Sequence, residues 1–209
     1  MTRISKDPAV RRQELIDVAE RLFLEKGYEA VSVRDILKEV NGAPGMFYYY
    51  FESKQEIYKA AILQLVDRLG KKEAQILMNR SLPIANRLKN IIEFIQENYQ
   101  KFYSTFHIEE NAAYEAVILL QILNHMTDPI ADTILEAKEK GLISEDVDIN
   151  SANARQTAIF LLHGVYGLIH DISEKDVSEE QNPSNLLYVI PMVCQFLHIS
   201  MEKLMEGDK

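Results

Sequence analysis

The chain is predicted to be all-α, because helix start and stop signals are dense, strand signals are nearly absent, and apolar residues recur at helical steps. No alternating Val/Ile/Thr run is closed by an Asn-Gly or Asp-Gly turn, as a hairpin would need. About nine helices are expected. They form an N-terminal three-helix unit of helix-turn-helix plan, residues 1–53, and a larger helical domain, residues 54–209.

The elements follow in order. Asp7 before Pro8 reads as an N-cap and a first helical residue, and Leu15, Ile16, Ala19, Leu22 and Phe23 keep helical spacing. Gly27 supplies the left-handed stop. Ser32 with Asp35 resembles a capping box, opening a short helix that buries Ile36, Leu37 and Val40. Asn41-Gly42 ends it, since both residues tolerate positive φ. Pro44 suits the first turn of a third helix through Tyr50, and Ser53 with Glu56 begins a long fourth helix. Further breakers fall at Ser81-Leu82-Pro83, from His107 to Glu110, at Asp128-Pro129, from Gly141 to Asp148, and from Asp176 to Pro183. The last two helices are expected over about 150–172 and 184–205, with Pro191 kinking or delaying the last. No linker rich in Gly or Ser is present, so the two parts are expected to be joined rigidly through the fourth helix.

Composition narrows the function classes. With 47% hydrophobic and 26% charged residues the chain is of globular type. No apolar run approaches the roughly 18 residues of a membrane span, and no secretory pattern follows the basic N-terminus, so a cytoplasmic protein is expected. The single cysteine, Cys194, agrees with a reducing compartment. The net charge of −9 is unevenly divided: residues 1–54 hold nine Lys/Arg and nine Asp/Glu, so the whole deficit lies in residues 55–209. A local basic face is therefore permitted near the N-terminus.

The most informative run is Phe47-Tyr48-Tyr49-Tyr50-Phe51. Successive helical residues point about 100° apart, so five aromatic rings in a row cannot share one small core. Phe47 and Phe51, four apart, can pack inward together, which turns Tyr48 and Tyr49 toward solvent, where phenolic hydroxyls suit phosphate. The competing reading is an aromatic core with one ring reaching outward. Lys54 at the start of the fourth helix can share a phosphate with free backbone N–H groups. Arg34 near the start of the second helix can reach a base edge, and Gly45 leaves room for close backbone approach.

On the stretches R-R-Q-E-L-I-D-V-A-E-R-L-F-L-E-K-G-Y-E-A, V-R-D-I and G-M-F-Y-Y-Y-F-E-S-K-Q-E-I, residues from about Arg11 to Ile57 resemble the DNA-binding domain of the TetR (tetracycline repressor) family of transcription regulators. The resemblance implies that the third helix enters the major groove of a palindromic operator, with Arg34, Pro44, Gly45, Met46, Tyr48, Tyr49 and Lys54 as DNA contacts. It also implies a homodimer and release by a small-molecule effector, with no cofactor and no membrane partner. Three departures stand out. The family usually carries Gly where Asn41 stands, which can still turn, a small β-branched residue at Gly42 and a hydroxyl residue at Met46, which leaves Met46 free to touch a thymine methyl instead.

In the larger domain, the turn from Gly141 to Asp148 is similar to the one before the family's eighth helix, and the last two helices match those that build its dimer interface. On the residues alone, Leu186, Ile190, Val193, Leu197, Met201 and Leu204 form an apolar seam at steps of four and three. With Leu161, Gly164 and Leu168 on the preceding helix, it suits either a partner chain or an intramolecular seam. Phe94, Phe102, Tyr103, Phe106, Tyr114, His125, His163 and Tyr166 are candidate effector-site residues, since polar-tipped rings among apolar walls describe a ligand pocket. An ordinary aromatic core is the alternative. His163 and His170 lie seven apart, too far for a helical metal pair, and read equally as core or interface histidines. No spacing fits a catalytic metal or nucleophile cluster, so an enzyme is not expected. A DNA binder acting constitutively or through a protein partner remains the other reading.

Overall fold

The computed structural model describes residues 7–106, 112–171 and 185–206. Among them are α1 (Pro8–Lys26), α2 (Val33–Glu39), α3 (Pro44–Tyr50), α4 (Lys54–Leu77), α5 (Ile84–Phe106), α6 (Ala112–Glu139), α7 (Ala154–Asp171), α8 (Asn185–Phe196) and α9 (Met201–Glu206). No strand is found among the described residues, only an isolated antiparallel bridge between Ile143 and Ile199.

Local chemistry accounts for the first three boundaries. The Asp7 carboxylate accepts from Ala9 N at 2.8 Å, with Pro8 as the first helical residue. Gly27, at φ 79°, ends α1 while its N–H donates to Phe23 O. At α2 the Ser32 and Asp35 side chains each accept from the other's backbone N–H. The Ser32 hydroxyl, donating to Asp35 Oδ2 at 2.6 Å, and then the Ser32 N–H hold the Asp35 carboxyl below its usual range. Asn41 takes the left-handed conformation, φ 51°, that turns the chain into α3. At α4, Ser53 Oγ accepts from Glu56 N, but the Glu56 carboxylate reaches Glu52 N and not Ser53 N.

Two compact units result. One comprises Met1–Arg68 with Tyr99–Ile118, the other Leu69–Asn98 with Leu119–Lys209. The division falls inside α4, so it does not coincide with the expected boundary after residue 53. In the first unit Leu15, Ala19, Leu22, Phe23, Ile36, Phe47, Phe51, Ile57 and Ile62 are buried together with their neighbours. In the second, one core gathers Ile84, Ala131, Ile134, Ala137, Ile143, Ala154, Ala158, Cys194, Leu197 and Leu204. A smaller core holds Leu77, Ile91 and Met126.

The second unit also holds a buried ion pair. Arg87, only 1% exposed, donates to Leu77 O at 2.9 Å and to Glu136 Oε1 at 2.5 Å. It thereby satisfies a carbonyl that the end of α4 leaves open. Burial pushes the Glu136 carboxyl up, but the Arg87 and Lys140 hydrogen bonds outweigh it and hold the group ionised.

Two expectations are corrected. Asp128-Pro129 does not break the chain: α6 continues through Pro129, with Thr127 and Thr133 hydroxyls donating to the carbonyls four residues back. Met126, Ala131 and Ile134 anchor both sides of the proline in cores, which offsets the hydrogen bond it cannot donate. The last helix is not continuous, because His198 at φ 50° ends it and Ile199 pairs with Ile143. Pro191 lies within α8 without delaying its start. The expected breaks from His107 to Glu110 and from Asp176 to Pro183 lie outside the described residues.

Candidate nucleic-acid interface

The helix-turn-helix places its aromatic run as the spacing predicts. Phe47 and Phe51 are buried with rings 5.7 Å apart. Tyr48 and Tyr49 on the same short helix are 66% and 74% exposed. Tyr48 rests edge-on against Phe47, and Tyr49 against the half-buried Tyr50, so each exposed ring has a fixed apolar neighbour. A rigid exposed aromatic with a hydroxyl tip offers a contact that costs little side-chain entropy to order.

Around it, Arg34, Pro44 and Gly45 are exposed, and nothing lies within 4 Å of where a Gly45 side chain would begin. Lys54 is half-buried, its ammonium 4.0 Å above the Tyr28 ring, which itself packs 4.3 Å from Tyr58. That cation–π contact fixes the lysine at the start of α4. Met46 is half-buried and its tip folds back over Gly42, which corrects the expectation that it is free to touch a thymine methyl.

The same unit carries a polar clasp. The buried Glu20 of α1 accepts from Arg68 at 2.6 Å and from Gln64 at 3.0 Å, both on α4. Gln64 also bonds Asp17 at 2.8 Å and contacts Gln13. Sequence reasoning passed over Glu20 and Tyr28; a charged residue one step from the apolar stripe of α1 was the available signal for Glu20.

In the second unit, His125 is half-buried on α6, where Gly70 of α4 approaches so closely that an added Cβ would lie 2.8 Å from its ring. Phe94 and Tyr166 are half-buried. His163 is exposed, correcting its reading as a core residue or pocket wall: its turn of α7 faces outward. The side chains of Phe102, Tyr103, Phe106 and Tyr114 lie outside the described residues. Sequence reasoning missed Glu73, on the α4 stripe between the buried Gly70 and Leu77. No hydrogen bond or ion pair joins it to another described residue, and burial pushes its carboxyl up to about 7. Among the described residues, no group of three His, Cys, Asp or Glu side chains is placed to hold a metal ion.

Part of the expected seam packs within its own chain. Leu197 is buried in its own chain's core, with Leu161, Ile190 and Val193 packed against it. The apolar stripe of α8 is thus already occupied by Ile143, Ala154 and Ala158. What remains outside, among the described residues, centres on Phe160 and Phe196, 62% and 51% exposed and stacked at 5.3 Å, with Met192 beside them and with Met201 and the open Gly164 of the expected seam. Leu168 and Leu186 have no described side chains.

A sequence model described as bacterial regulatory proteins, tetR family, matches residues 15–61. The chain is 28% identical over 141 residues to the HTH-type transcriptional repressor DhaR of Mycobacterium sp. strain GP1, covering 65% of this chain and 71% of that protein. It is 25% identical over 172 residues to the HTH-type transcriptional regulator UidR of Escherichia coli K12, covering 81% and 85%. In fold, a transcriptional regulator from Cytophaga hutchinsonii superposes with a TM-score of 0.66 over 94% of this chain and 98% of that one, at 16% identity.

Proposed function

Because the chain belongs to the tetR family of bacterial regulatory proteins and is a DNA-binding transcription regulator, we propose that it works as a dimeric repressor released from a palindromic operator by a small-molecule effector. The observation that carries the reading is the outward pair Tyr48 and Tyr49 on a short helix whose flanking Phe47 and Phe51 are sealed in the core. In the proposal, α3 enters the major groove, where Pro44 and Gly45 let the backbone approach and Tyr48, Tyr49 and Lys54 take phosphates. Arg34 reads a base edge. Two such helices about 34–36 Å apart match successive turns of one DNA face, which requires two chains. The stacked Phe160–Phe196 pair supports the α7–α8 surface as the meeting place, since exposed apolar rings favour burial against a copy of themselves.

Glu73 supports the effector. A desolvated carboxylate without a cationic partner among the described residues favours a ligand that brings a positive charge, and the small apolar core of Leu77, Ile91 and Met126 in the same unit favours an apolar body. An effector that prefers the released state by a few kcal/mol is enough to empty the operator, because several phosphate contacts must form together.

The test has two arms. Operator duplexes are selected from a random pool with the intact protein, and Tyr48→Ala and Lys54→Ala are measured against them. Both are expected to weaken binding by about ten-fold or more, and Lys54→Ala to lower the salt slope by about one. Unchanged affinity in both variants overturns the contact assignment. In the second arm, 4-phenylbutylamine, 4-phenylbutanol and 4-phenylbutyrate, one body with three charges, are titrated into the protein–operator complex. Release by the amine alone is expected. Release by none of them favours a regulator that acts without an effector of this class.

A further inference from the structure

The turn between α2 and α3 holds a glycine whose backbone does not require it. Positive φ falls on Asn41, while Gly42 lies outside the left-handed region and donates its N–H to Leu37 O at 2.8 Å. Space is what demands glycine here. A Cβ on residue 42 would lie 2.3 Å from Met46 Cε and 2.8 Å from Leu37 Cδ2. Leu37 is sealed in the core and has little room to retreat. Met46 is unbranched, with its thioether end half-buried over the turn, and it alone can swing away.

We propose that Gly42 is a socket for the Met46 side chain, and that the pair determines specificity by holding position 46 off the base edges. The inference rests on the reading of α3 as the recognition helix. With the socket filled, the opening turn of α3 presents Pro44, Gly45 and the two tyrosines, and residue 46 contributes no base contact. Any side chain at 42 ejects the Met46 thioether toward the groove. There it meets thymine methyl groups with a flexible apolar end. The departures from the family pattern at 42 and at 46 are then one feature: a long side chain at 46 is accommodated because its neighbour has none.

Operator selection from random duplexes with the full-length protein tests this. Met46→Ala is expected to select the wild-type sequence, with each base preference changed less than about two-fold. Gly42→Ala is expected to shift preference at one position per half-site by about ten-fold, as a gained or lost base contact does. The double variant Gly42→Ala/Met46→Ala is expected to return to the wild-type sequence. A changed preference in Met46→Ala alone overturns the proposal, because Met46 would then already read a base. So does a folded Gly42→Ala protein that selects the wild-type sequence. The Met46→Ala arm stands even where Gly42→Ala melts early. A wild-type protein that enriches no sequence refutes the recognition-helix reading itself, and the socket with it.

Discussion

Replacing Glu73 by Gln removes the titration of one carboxyl and keeps its shape. In the folded chain that carboxyl is pushed from an ordinary value of 4.5 to about 7 by burial. The folded protein therefore binds more protons than the unfolded chain between these values, and stability falls as pH rises through them. A shift of about 2.5 pH units, at about 1.4 kcal/mol each, sets a ceiling of about 3 kcal/mol. Glu73 keeps some solvent contact, which screens the penalty to about 2 kcal/mol. For a chain of this size that is roughly 4–8 °C in Tm. Thermal melts of the wild type and Glu73→Gln, at one protein concentration and every half unit from pH 5 to 8.5, measure it. Every other titrating group is common to both proteins and cancels in the difference. The expected result is a variant nearly equal to wild type at pH 5 and more stable by that margin at pH 8. A difference independent of pH refutes the argument, since it would mean that the carboxyl ionises as freely folded as unfolded.

Removing Arg87 as Ala leaves Glu136 buried with, among the described residues, Lys140 and the more distant Arg80, and opens the Leu77 carbonyl; urea unfolding is expected to show a loss of about 3 kcal/mol or more. Arg87→Met with Glu136→Leu is expected to cost less than Arg87→Ala alone, because the pair is removed together. On the proposed dimer, Phe196→Glu places a charge on the stacked aromatic face and is expected to give monomers by light scattering at concentrations where the wild type scatters as a dimer, with an unchanged helical spectrum; a wild type that is itself monomeric refutes the dimer. Ser32→Ala removes the acceptor for Asp35 N and is expected to cost about 1 kcal/mol, read as a lowered Tm.

The sequence by itself determined whatever is decided within one or two helical turns. Asp7, Gly27, Ser32 with Asp35, and Asn41 fix the first helices through hydrogen bonds and φ preferences that span four residues or fewer, and these stand where the residue types placed them. The outward direction of Tyr48 and Tyr49 was legible for the same reason, since helical geometry cannot hide five consecutive rings. Tertiary structure alone decided the rest. Pro129 stays helical because packing on both sides compensates for it, and the last helix stops at His198 because Ile199 has a partner 56 residues earlier in Ile143. An apolar stripe on α8 has the same spacing whichever body covers it, so only the fold could show that Leu197 belongs to its own core and that Phe160 and Phe196 remain outside. Glu73 and the Gly42–Met46 pair were hidden likewise: burial of a charge, and the space beside a glycine, depend on where other side chains end.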